Sequence, residues 1–526
     1  MRIAFAVLWI GLGILYYQVL SFEPLTYDDP LFLSKHPAAE MSLGSFVFWK
    51  TLFVSPTVNL WHPLTDLTHQ LLFRLSSAPP VHHVFNVLLH GLTASVWLVF
   101  LRRLIGRVDL ALVVTLLFAW HPITVESVAW ISGRKDLLCT LFLTLAVFLY
   151  HDGVSQKRSP SSPLFFLTFI AALLSKPIAF TLPLLLLALD YWPLARKEPL
   201  GALLKEKWAL WILSLLSVFV TVFIQSKGTQ AIDDLRPPLT RLIEALWALQ
   251  SSAKSILWPF DLHFVYSNPA QLSLLWIVGI LSIILVALAF LLWRRKSVPF
   301  LISGLVWYLI TLGPTLGLLR AGNNLAADRY SYFPLLGLLL VLAGLAHVYR
   351  EKEFFRRVFL ISGLAFTVII FPFTYKQISY WKNQQALFAH VLKHEPKNLI
   401  AHEELAVLAM KAGKAALTDY HLNEALSANS KSPGAHLLLG RFAFEKGDYQ
   451  SAYLHYETAS SIRTREAWIY ERLAACAHGK GDLTATRQHL ISAMQYAQPK
   501  DKDLRLVQKW RAIFPEESVP LSSFDS

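Results

Sequence analysis

The chain has 526 residues, of which 55% are hydrophobic and 16% are charged, and its mean hydropathy is +0.45. Soluble domains carry about a quarter charged residues, so this composition excludes a single soluble domain and a disordered chain. Two cysteines, Cys139 and Cys476, are too few and too far apart for a disulfide framework or a cysteine-held metal. The composition is that of a polytopic membrane protein.

The formal net charge is +13, and most of the excess lies in short gaps between apolar runs. Such gaps are typical of cytoplasmic loops rather than of a groove for nucleic acid. The pattern therefore predicts a cytoplasmic amino terminus and no nucleic-acid partner. The basic gaps contain Arg102, Arg103 and Arg107; Lys157 and Arg158; Arg196, Lys197, Lys205 and Lys207; Arg294, Arg295 and Lys296; and Arg350, Lys352, Arg356 and Arg357.

The apolar runs predict an all-α fold with a polytopic membrane bundle of about eleven spans, since about 20 helical residues cross a hydrocarbon core. The first run has no small-residue cleavage site before Glu23, so we expect a retained span rather than a signal peptide. Residues 1–375 form this predicted membrane domain, with a long outer loop at 21–83 and an interfacial or re-entrant segment at 241–260. The predicted spans are Arg2–Leu20, Val84–Leu101, Val108–Trp120, Asp136–Tyr150, Pro163–Ser175, Pro177–Asp190, Trp208–Gln225, Leu272–Trp293, Val298–Leu319, Tyr330–Tyr349 and Val358–Tyr375.

The remaining residues, 376–526, are polar and rich in alanine, and they repeat. Gly413, Gly447 and Gly481 recur every 34 residues, as do three alanines and three large residues. This is the tetratricopeptide (TPR) period, and it predicts an α-solenoid of about three repeats with a concave groove for a protein. An odd number of spans places this domain on the outer side of the membrane.

Two adjacent carboxylates, Asp28 and Asp29, follow the first span in the outer loop. Adjacent carboxylates repel each other, which keeps one pKa high and suits a general base or a cation ligand. A helix cap or a turn before Pro30 is the alternative. Farther along the loop, His62, Asp66 and His69 have helical spacing for a metal, and a solvated polar face is the alternative.

The third span is too short to cross, so we expect the following residues to lie partly at membrane depth, where ionisable groups indicate function. These residues include His121 and Glu126. Four basic residues on the predicted outer side run against the usual charge preference of membrane proteins. We expect either convergence on one phosphate-bearing ligand or scattered headgroup contacts. The four are Arg134, Lys135, Lys176 and Arg329.

In this order, these features resemble the transmembrane and tetratricopeptide-repeat-containing O-mannosyltransferases and their bacterial relatives. The resemblance covers nearly the whole chain and is most specific between His121 and Leu138. The motifs that carry it are Asp28-Asp29, His121-Pro122, Glu126, Val128-Ala129, Gly133-Arg134-x-Asp136-Leu137-Leu138, and Asp328-Arg329-Tyr330 with Tyr332-Phe333-Pro334.

The resemblance implies a GT-C-like glycosyltransferase whose active site faces away from the cytoplasm and whose sugar donor is a polyprenyl-phosphate lipid. It implies that Asp28 or Asp29 acts as the base, and that His62, His121, Glu126 and the four basic residues bind substrate or donor phosphate. No cofactor is required, although a divalent metal at the acidic pair stays open. Thr124 and Lys176-Pro177 depart from the pattern of eukaryotic relatives.

The sequence therefore predicts a membrane enzyme that moves one hexose, mannose by the resemblance, to a hydroxyl of Ser or Thr in an exported protein, with inversion. Besides the lipid donor and membrane lipid, the predicted partner is a protein held in the TPR groove. A non-catalytic scaffold displaying that groove is the first alternative. A transporter is the second, because charge inside a membrane also marks substrate paths.

Overall fold

A computed structural model describes most of the chain as helix, with no strand in the described part. Contacts divide it into two compact units, Met1–Leu387 and Phe388–Ser526. The predicted all-α class is confirmed for these residues. The structure describes residues 1–55, 57, 60–158, 162–225, 237–267, 276–280, 282, 287, 291, 293–294, 297–317, 324–462, 466–497, 505–516 and 519–520.

The first unit contains the apolar helices and the outer loop. One helix, α13, occupies the segment that was predicted to be interfacial or re-entrant. In chain order, the helices are α1 (Arg2–Tyr16), α2 (Asp29–Phe32), α3 (Phe46–Val54), α4 (Pro63–Leu75), α5 (Pro79–Ile105), α6 (Val108–Ala119), α7 (Val125–Ala129), α8 (Arg134–Ser155), α9 (Pro163–Ser175), α10 (Leu182–Tyr191), α11 (Leu200–Glu206), α12 (Trp208–Gln225), α13 (Pro238–Leu257), α14 (Pro299–Leu312), α15 (Pro334–Tyr349), α16 (Glu353–Ser379) and α17 (Gln384–His394).

Several helices of this unit are long and apolar enough to cross a membrane. The described residues hold four such helices, at Arg2–Ser21, Pro79–Ile105, Ile131–Ser155 and Glu353–Ser379, or six if two bent helix pairs each form one span. Four shorter apolar helices coincide with other predicted spans. The predicted span Leu272–Trp293 lies largely outside the described residues, so the total of eleven stays a prediction.

The short third span is broken, as its length predicts. The axis turns by 50° between Val108–Ala119 and Pro122–Ala129. A break in an apolar helix frees backbone carbonyls, which need hydrogen-bond partners when they are buried. His90 Nε2 lies 3.0 Å from the Ala119 carbonyl oxygen, and Thr374 donates its hydroxyl to the Trp120 carbonyl at 2.6 Å. Side chains of α5 and α16 thus hold the broken end.

Two helices beyond the break, α14 and α15, approach each other through glycine. A Cβ on Gly337 would lie 2.8 Å from the Gly304 carbonyl oxygen, so only glycine fits at this helix crossing. Small residues are what allow membrane helices to pack this closely, since no hydrophobic driving force acts between them in lipid. The crossing holds the first part of α15, the helix that follows the turn containing Asp328 and Arg329.

The second unit consists of helix pairs joined by tight turns. At each turn a glycine has a positive φ, 66° at Gly413, 80° at Gly447 and 78° at Gly481, a backbone conformation that favours glycine. The 34-residue period therefore corresponds to a recurring helix–turn–helix pair, while the solenoid itself stays a prediction. The helices are α18 (Leu399–Lys411), α19 (Ala415–Ala428), α20 (Pro433–Glu445), α21 (Tyr449–Ile462), α22 (Ala467–Gly479), α23 (Leu483–Tyr496) and α24 (Arg505–Ile513).

Two of these helix pairs each contain two histidines in contact, and the second set follows the first by the same 34-residue period. The Nδ1 atoms of His402 and His421 are 3.0 Å apart, and those of His436 and His455 are 3.1 Å apart. His402 Nε2 lies 2.9 Å from the Pro396 carbonyl and donates to it, which leaves its Nδ1 as an acceptor. His421 Nδ1 is then the donor, and this contact cannot form when both imidazoles are charged.

We expect the second unit to lose stability in acid. Burial lowers the pKa of His421 and of His455, and their partners His402 and His436 lower it further, while Glu424 and Asp448 oppose the shift. The folded state therefore binds fewer protons than the unfolded state below about pH 6.5, so stability present above that pH is lost as the pH falls.

Hydrogen exchange of the full chain, corrected for intrinsic rates, measures this effect in α18–α21. Protection is expected to fall between about pH 7.5 and pH 5.5 in the wild type. It should fall less in the double variant His421→Gln, His455→Gln, which cannot acquire the charges. Equal pH dependence in the two proteins would show that the histidine pairs do not set acid stability.

Candidate active site

Asp29 fixes the outer loop to the turn before α8. Its Oδ1 accepts hydrogen bonds from the Ser132 amide at 3.0 Å and from the Ser132 hydroxyl at 2.5 Å, and its Oδ2 accepts from the Leu25 amide at 2.8 Å. The side chain is fully buried. Burial raises the pKa of Asp29 to about 6, against the lowering effect of these hydrogen bonds. Both carboxylate oxygens are therefore occupied by the protein itself.

Asp28 has a different environment. Asp28 stands at the N-cap position of α2, but its carboxylate does not cap that helix. The carboxylate forms no hydrogen bond or ion pair with any residue that the structure describes. The side chain is partly exposed. Burial raises the pKa of Asp28, and the charges of Lys135 and Arg329 act in the opposite direction. Of the acidic pair, Asp28 is the carboxylate that remains open to a ligand.

Lys135 lies among aromatic rings. Its Nζ donates to the Ser132 carbonyl at 2.9 Å and lies 5.1 Å from the Trp130 ring and 5.3 Å from the Phe32 ring. Cation–π contacts stabilise an ammonium group without neutralising it. No ion pair of Lys135 is found within the described ranges, so its charge remains available to an anion.

Arg329 is positioned by Glu126. The Glu126 carboxylate accepts from the Arg329 amide at 3.0 Å and forms an ion pair with its guanidinium. Glu126 is 2% exposed, so this is a buried, two-point contact between α7 and the turn before α15. The Arg329 guanidinium also lies 5.5 Å from the Trp130 ring, on which Lys135 packs too.

Lys176 is the third cation at this end of the bundle. It forms an ion pair with Asp136 in the first turn of α8, and its Nζ lies 6.0 Å from the Tyr330 ring. The Tyr330 ring also contacts Arg329, at 4.9 Å. Lys135, Lys176 and Arg329 therefore surround the Trp130 and Tyr330 rings, and Asp28 lies within electrostatic range of Lys135 and Arg329.

A second carboxyl beside Arg329 is held in a neutral form. Tyr266 donates its hydroxyl to Asp328 at 2.7 Å. Burial, and then the nearby Glu126 carboxylate, raises the pKa of Asp328 to about 8. Asp328 therefore adds no full negative charge to this site near neutral pH.

Arg134 and His121 have a different environment from the one predicted. Arg134 is fully buried, and its guanidinium donates to Asn86 Oδ1 at 3.0 Å and to the His82 carbonyl at 3.3 Å. His121 accepts from the Ile123 amide through Nδ1 at 3.2 Å, and its Nε2 lies 3.1 Å from the Ile256 carbonyl. Both residues contact backbone carbonyls of other segments, and neither forms a hydrogen bond or ion pair with Asp28 among the described residues.

The alternative of a solvated polar face around His62 is wrong, while a role of His62 in binding substrate stays a prediction. His62, Asp66 and His69 are all 1% exposed or less, since α4 turns this face into the unit. His62 Nδ1 lies 3.2 Å from Asp66 Oδ1, and the His62 ring stacks on Phe32. No group of three metal-ligating side chains that could hold an ion is found among the residues that the structure describes.

Three residues with a part in this arrangement received no role from the sequence. Ser132 donates a hydrogen bond to Asp29, and Asp136 forms an ion pair with Lys176. The Trp130 ring contacts both Lys135 and Arg329. Gly133, between them, is required because a Cβ there would overlap the Ser127 carbonyl. Asp136 was recognisable, since a lysine at the end of a short span needs an acid. Nothing in the sequence alone marks Ser132 or Trp130.

The curated proteins to which this chain is similar are named protein O-mannosyl-transferases. A protein O-mannosyl-transferase of Caenorhabditis elegans is 22% identical over 391 residues, covering 72% of this chain and 55% of the relative. Protein O-mannosyl-transferase TMTC3 of Mus musculus is 22% identical over 482 residues, covering 81% of this chain and 51% of the relative. Mouse TMTC4 is 38% identical over 125 residues, 21% of this chain and 17% of the relative.

The chain spans about half the length of the curated relatives that it matches over most of its own length. No model of a protein family matches it, and no solved structure matches it. The predicted resemblance is confirmed: the chain is similar to the transmembrane and tetratricopeptide-repeat-containing protein O-mannosyl-transferases.

Proposed function

We propose that this protein is a membrane glycosyltransferase that moves a hexose, mannose by the names of its relatives, from a polyprenyl-phosphate lipid to a hydroxyl of an exported protein. The observation that carries the proposal is the Asp28 carboxylate, which has no partner among the described residues and lies within electrostatic range of the cations Lys135 and Arg329. Transfer of a sugar from a phosphate requires both: a base for the incoming hydroxyl and positive charge for the departing phosphate.

Asp28 is the proposed base. It takes the proton of a Ser or Thr hydroxyl as that oxygen bonds to the anomeric carbon. Its raised pKa brings it nearer to neutrality, where a carboxylate is a more effective base. Asp29, whose oxygens are both hydrogen-bonded to the protein, is a positioning residue that holds Asp28 against the turn before α8.

Lys135 and Arg329 are the proposed phosphate ligands, with Lys176 beside them. The bond between the anomeric carbon and the phosphate oxygen breaks, and the electron pair leaves on the phosphate, whose charge the cations stabilise. Trp130 Nε1 is buried with no acceptor among the described residues, which provides a further donor for an oxygen of the ligand. A phosphate leaves without a proton, so one carboxylate suffices, unlike the pair of a glycosidase.

Attack opposite the leaving group inverts the anomeric carbon. In this proposal the site faces the outer side of the membrane, with the amino terminus cytoplasmic and the second unit extracytoplasmic. The groove of the repeats holds the acceptor protein or an assembly partner. A cation bound to Asp28 is a variant of the scheme, in which the metal would orient the acceptor hydroxyl.

Purified full-length protein tests the donor class. It is incubated with a hydroxyl-containing peptide and either polyprenyl-phosphate mannose or a nucleotide-linked mannose, and sugar on the peptide is measured by mass spectrometry. The lipid-linked donor is expected to support transfer and the nucleotide donor is not. Transfer from the nucleotide donor alone would contradict the proposed role of a lipid phosphate.

The acid limb of the pH–rate profile is expected to move in Ser132→Ala. The Ser132 hydroxyl lowers the pKa of Asp29, so its removal raises that pKa above its value of about 6. Protonation of Asp29 weakens its hold on the Ser132 and Leu25 amides, so kcat/KM should decline at a higher pH than in the wild type.

Ser127→Ala is the matched control, because Ser127 is buried nearby and its hydroxyl has no hydrogen-bond partner among the described residues. Its acid limb should coincide with that of the wild type. An unmoved limb in Ser132→Ala, or an equal shift in both variants, would count against a positioning role for Asp29.

A further inference from the structure

A cavity of about 680 Å³ lies at the end of α8 remote from the candidate active site. The 22 residues of α8 extend for about 33 Å, roughly the thickness of a hydrocarbon core, and Asp136 and Val154 stand near its opposite ends. The cavity is thus at the other membrane face from Asp28. Its lining residues are Val154, Lys157, Arg158, Arg196, Lys197, Glu198 and Glu206.

The charges of this cavity are not balanced. Both of its acids are bound to one arginine: Arg196 Nη2 lies 2.7 Å from Glu206 Oε2 and 3.1 Å from Glu198 Oε1. Lys157, Arg158 and Lys197 then remain, exposed and without an ion pair in the part of the chain that the structure describes. Three cations around a space large enough for a polar headgroup attract an anion.

A buried network of hydrogen bonds lies behind the cavity. Asp190, 1% exposed, accepts from the Tyr150 hydroxyl at 2.7 Å and from Lys207 at 2.6 Å. Arg196 also donates to the Tyr150 hydroxyl at 3.1 Å. This network joins α8, α10 and Lys207 before α12, and it anchors Arg196 in the lining of the cavity.

Apolar side chains stand beside the cationic cavity. Leu200 and Leu204 are 64% and 39% exposed on α11, the helix that contributes Glu206, and Trp208 at the start of α12 is 65% exposed. A soluble phosphate compound makes no use of such a surface, whereas acyl chains do. The adjacent cations and apolar surface therefore favour a lipid over a free anion.

We propose that this cavity binds the headgroup of an anionic phospholipid, with its acyl chains against α11 and α12. The preference for basic residues on the cytoplasmic side accounts for the sign of the charge. It does not account for a cavity in which both acids are paired with a single arginine and whose lining of four basic and two acidic side chains keeps a net charge of +2. The proposal is independent of the reaction proposed for the opposite face.

Native mass spectrometry of the purified full-length protein tests this site. Phosphatidylglycerol and phosphatidylcholine are added to the wild type and to a triple variant, Lys157→Gln, Arg158→Gln, Lys197→Gln. The variant is expected to bind phosphatidylglycerol about 100-fold more weakly, because each surface cation contributes measurably to the attraction of an anionic lipid. Phosphatidylcholine binding should be the same in both proteins.

A matched triple variant, Arg102→Gln, Arg294→Gln, Lys352→Gln, removes the same charge at the same end without touching the cavity lining or α11. It should keep the wild-type preference for phosphatidylglycerol. Equal loss in both variants, or no loss in the first, would overturn the proposal. So would displacement of the lipid by millimolar inorganic phosphate, which would assign the cavity to a free anion. Unchanged melting temperatures show that the variants are folded.

Discussion

Replacing Asp28 with Asn is expected to lower the rate of sugar transfer by at least about a hundredfold, the usual contribution of a positioned general base. The amide has nearly the same shape as the carboxylate but cannot take the acceptor proton. The Asp28 carboxylate forms no hydrogen bond or ion pair with any described residue, so the substitution removes no side-chain contact that stabilises the fold. The loss should appear in kcat, with the melting temperature unchanged, when transfer and thermal unfolding are measured on one preparation.

Glu23→Gln is the matched control, since Glu23 is an exposed carboxylate in the same outer loop. It should transfer sugar at the wild-type rate. Asp29→Asn should differ from both, because a buried carboxylate with three hydrogen bonds is replaced and the melting temperature falls with the activity. Full activity in Asp28→Asn would remove Asp28 from the proposed mechanism.

The second large effect concerns the buried ion pair of Glu126 with Arg329. Arg329→Gln leaves the Glu126 carboxylate buried without its cation, which costs about 3–5 kcal/mol of unfolding free energy. Loss of one group that stabilises the departing phosphate is expected to lower kcat by about 100-fold to 1,000-fold. Transfer assays and thermal unfolding measure the two effects on the same protein.

The double variant Glu126→Gln, Arg329→Gln separates these two effects. With both charges removed, no carboxylate is buried without its cation, so most of the stability should return. The group that binds the phosphate is still missing, so transfer should stay low. Recovery of transfer together with stability would show that Arg329 acts only as a structural partner of Glu126.

The sequence predicts the elements of the site better than their contacts. Asp28 and Asp29 are equivalent on paper, yet a single residue step along the chain separates a carboxylate with both oxygens occupied from one left open. That difference depends on Ser132, more than a hundred residues away, so no local pattern contains it. The choice between base and positioning residue therefore required the tertiary structure.

The roles of the basic residues also could not be predicted from the sequence alone. The charges alone left open whether the four outer cations converge on one ligand or contact scattered headgroups. Arg134 is buried against Asn86 and a backbone carbonyl, while Lys135, the next residue, packs on Trp130. Adjacent residues at a helix start point in different directions, and the sequence does not say which side faces the interior. The alternative of a solvated face at His62, Asp66 and His69 was wrong for the same reason, because all three side chains are buried.

Periodicity and length were the reliable signals. The third span was too short to cross, and the structure bends there by 50°. The glycines spaced by 34 residues lie at turns with positive φ, where the residue type is dictated by the backbone. Both inferences depend on one physical constraint that acts locally. The histidine pairs of the second unit share that period, although their contact is visible only once the helices are packed.

The most direct test of the proposed activity is the mass of an acceptor peptide after incubation with polyprenyl-phosphate mannose and the purified full-length protein. The proposal predicts that the wild type adds one hexose to a Ser or Thr of the peptide and that Asp28→Asn, folded to the same melting temperature, does not. A peptide that stays unmodified with the wild type across a panel of lipid-linked sugars would contradict the proposed enzyme and favour the scaffold.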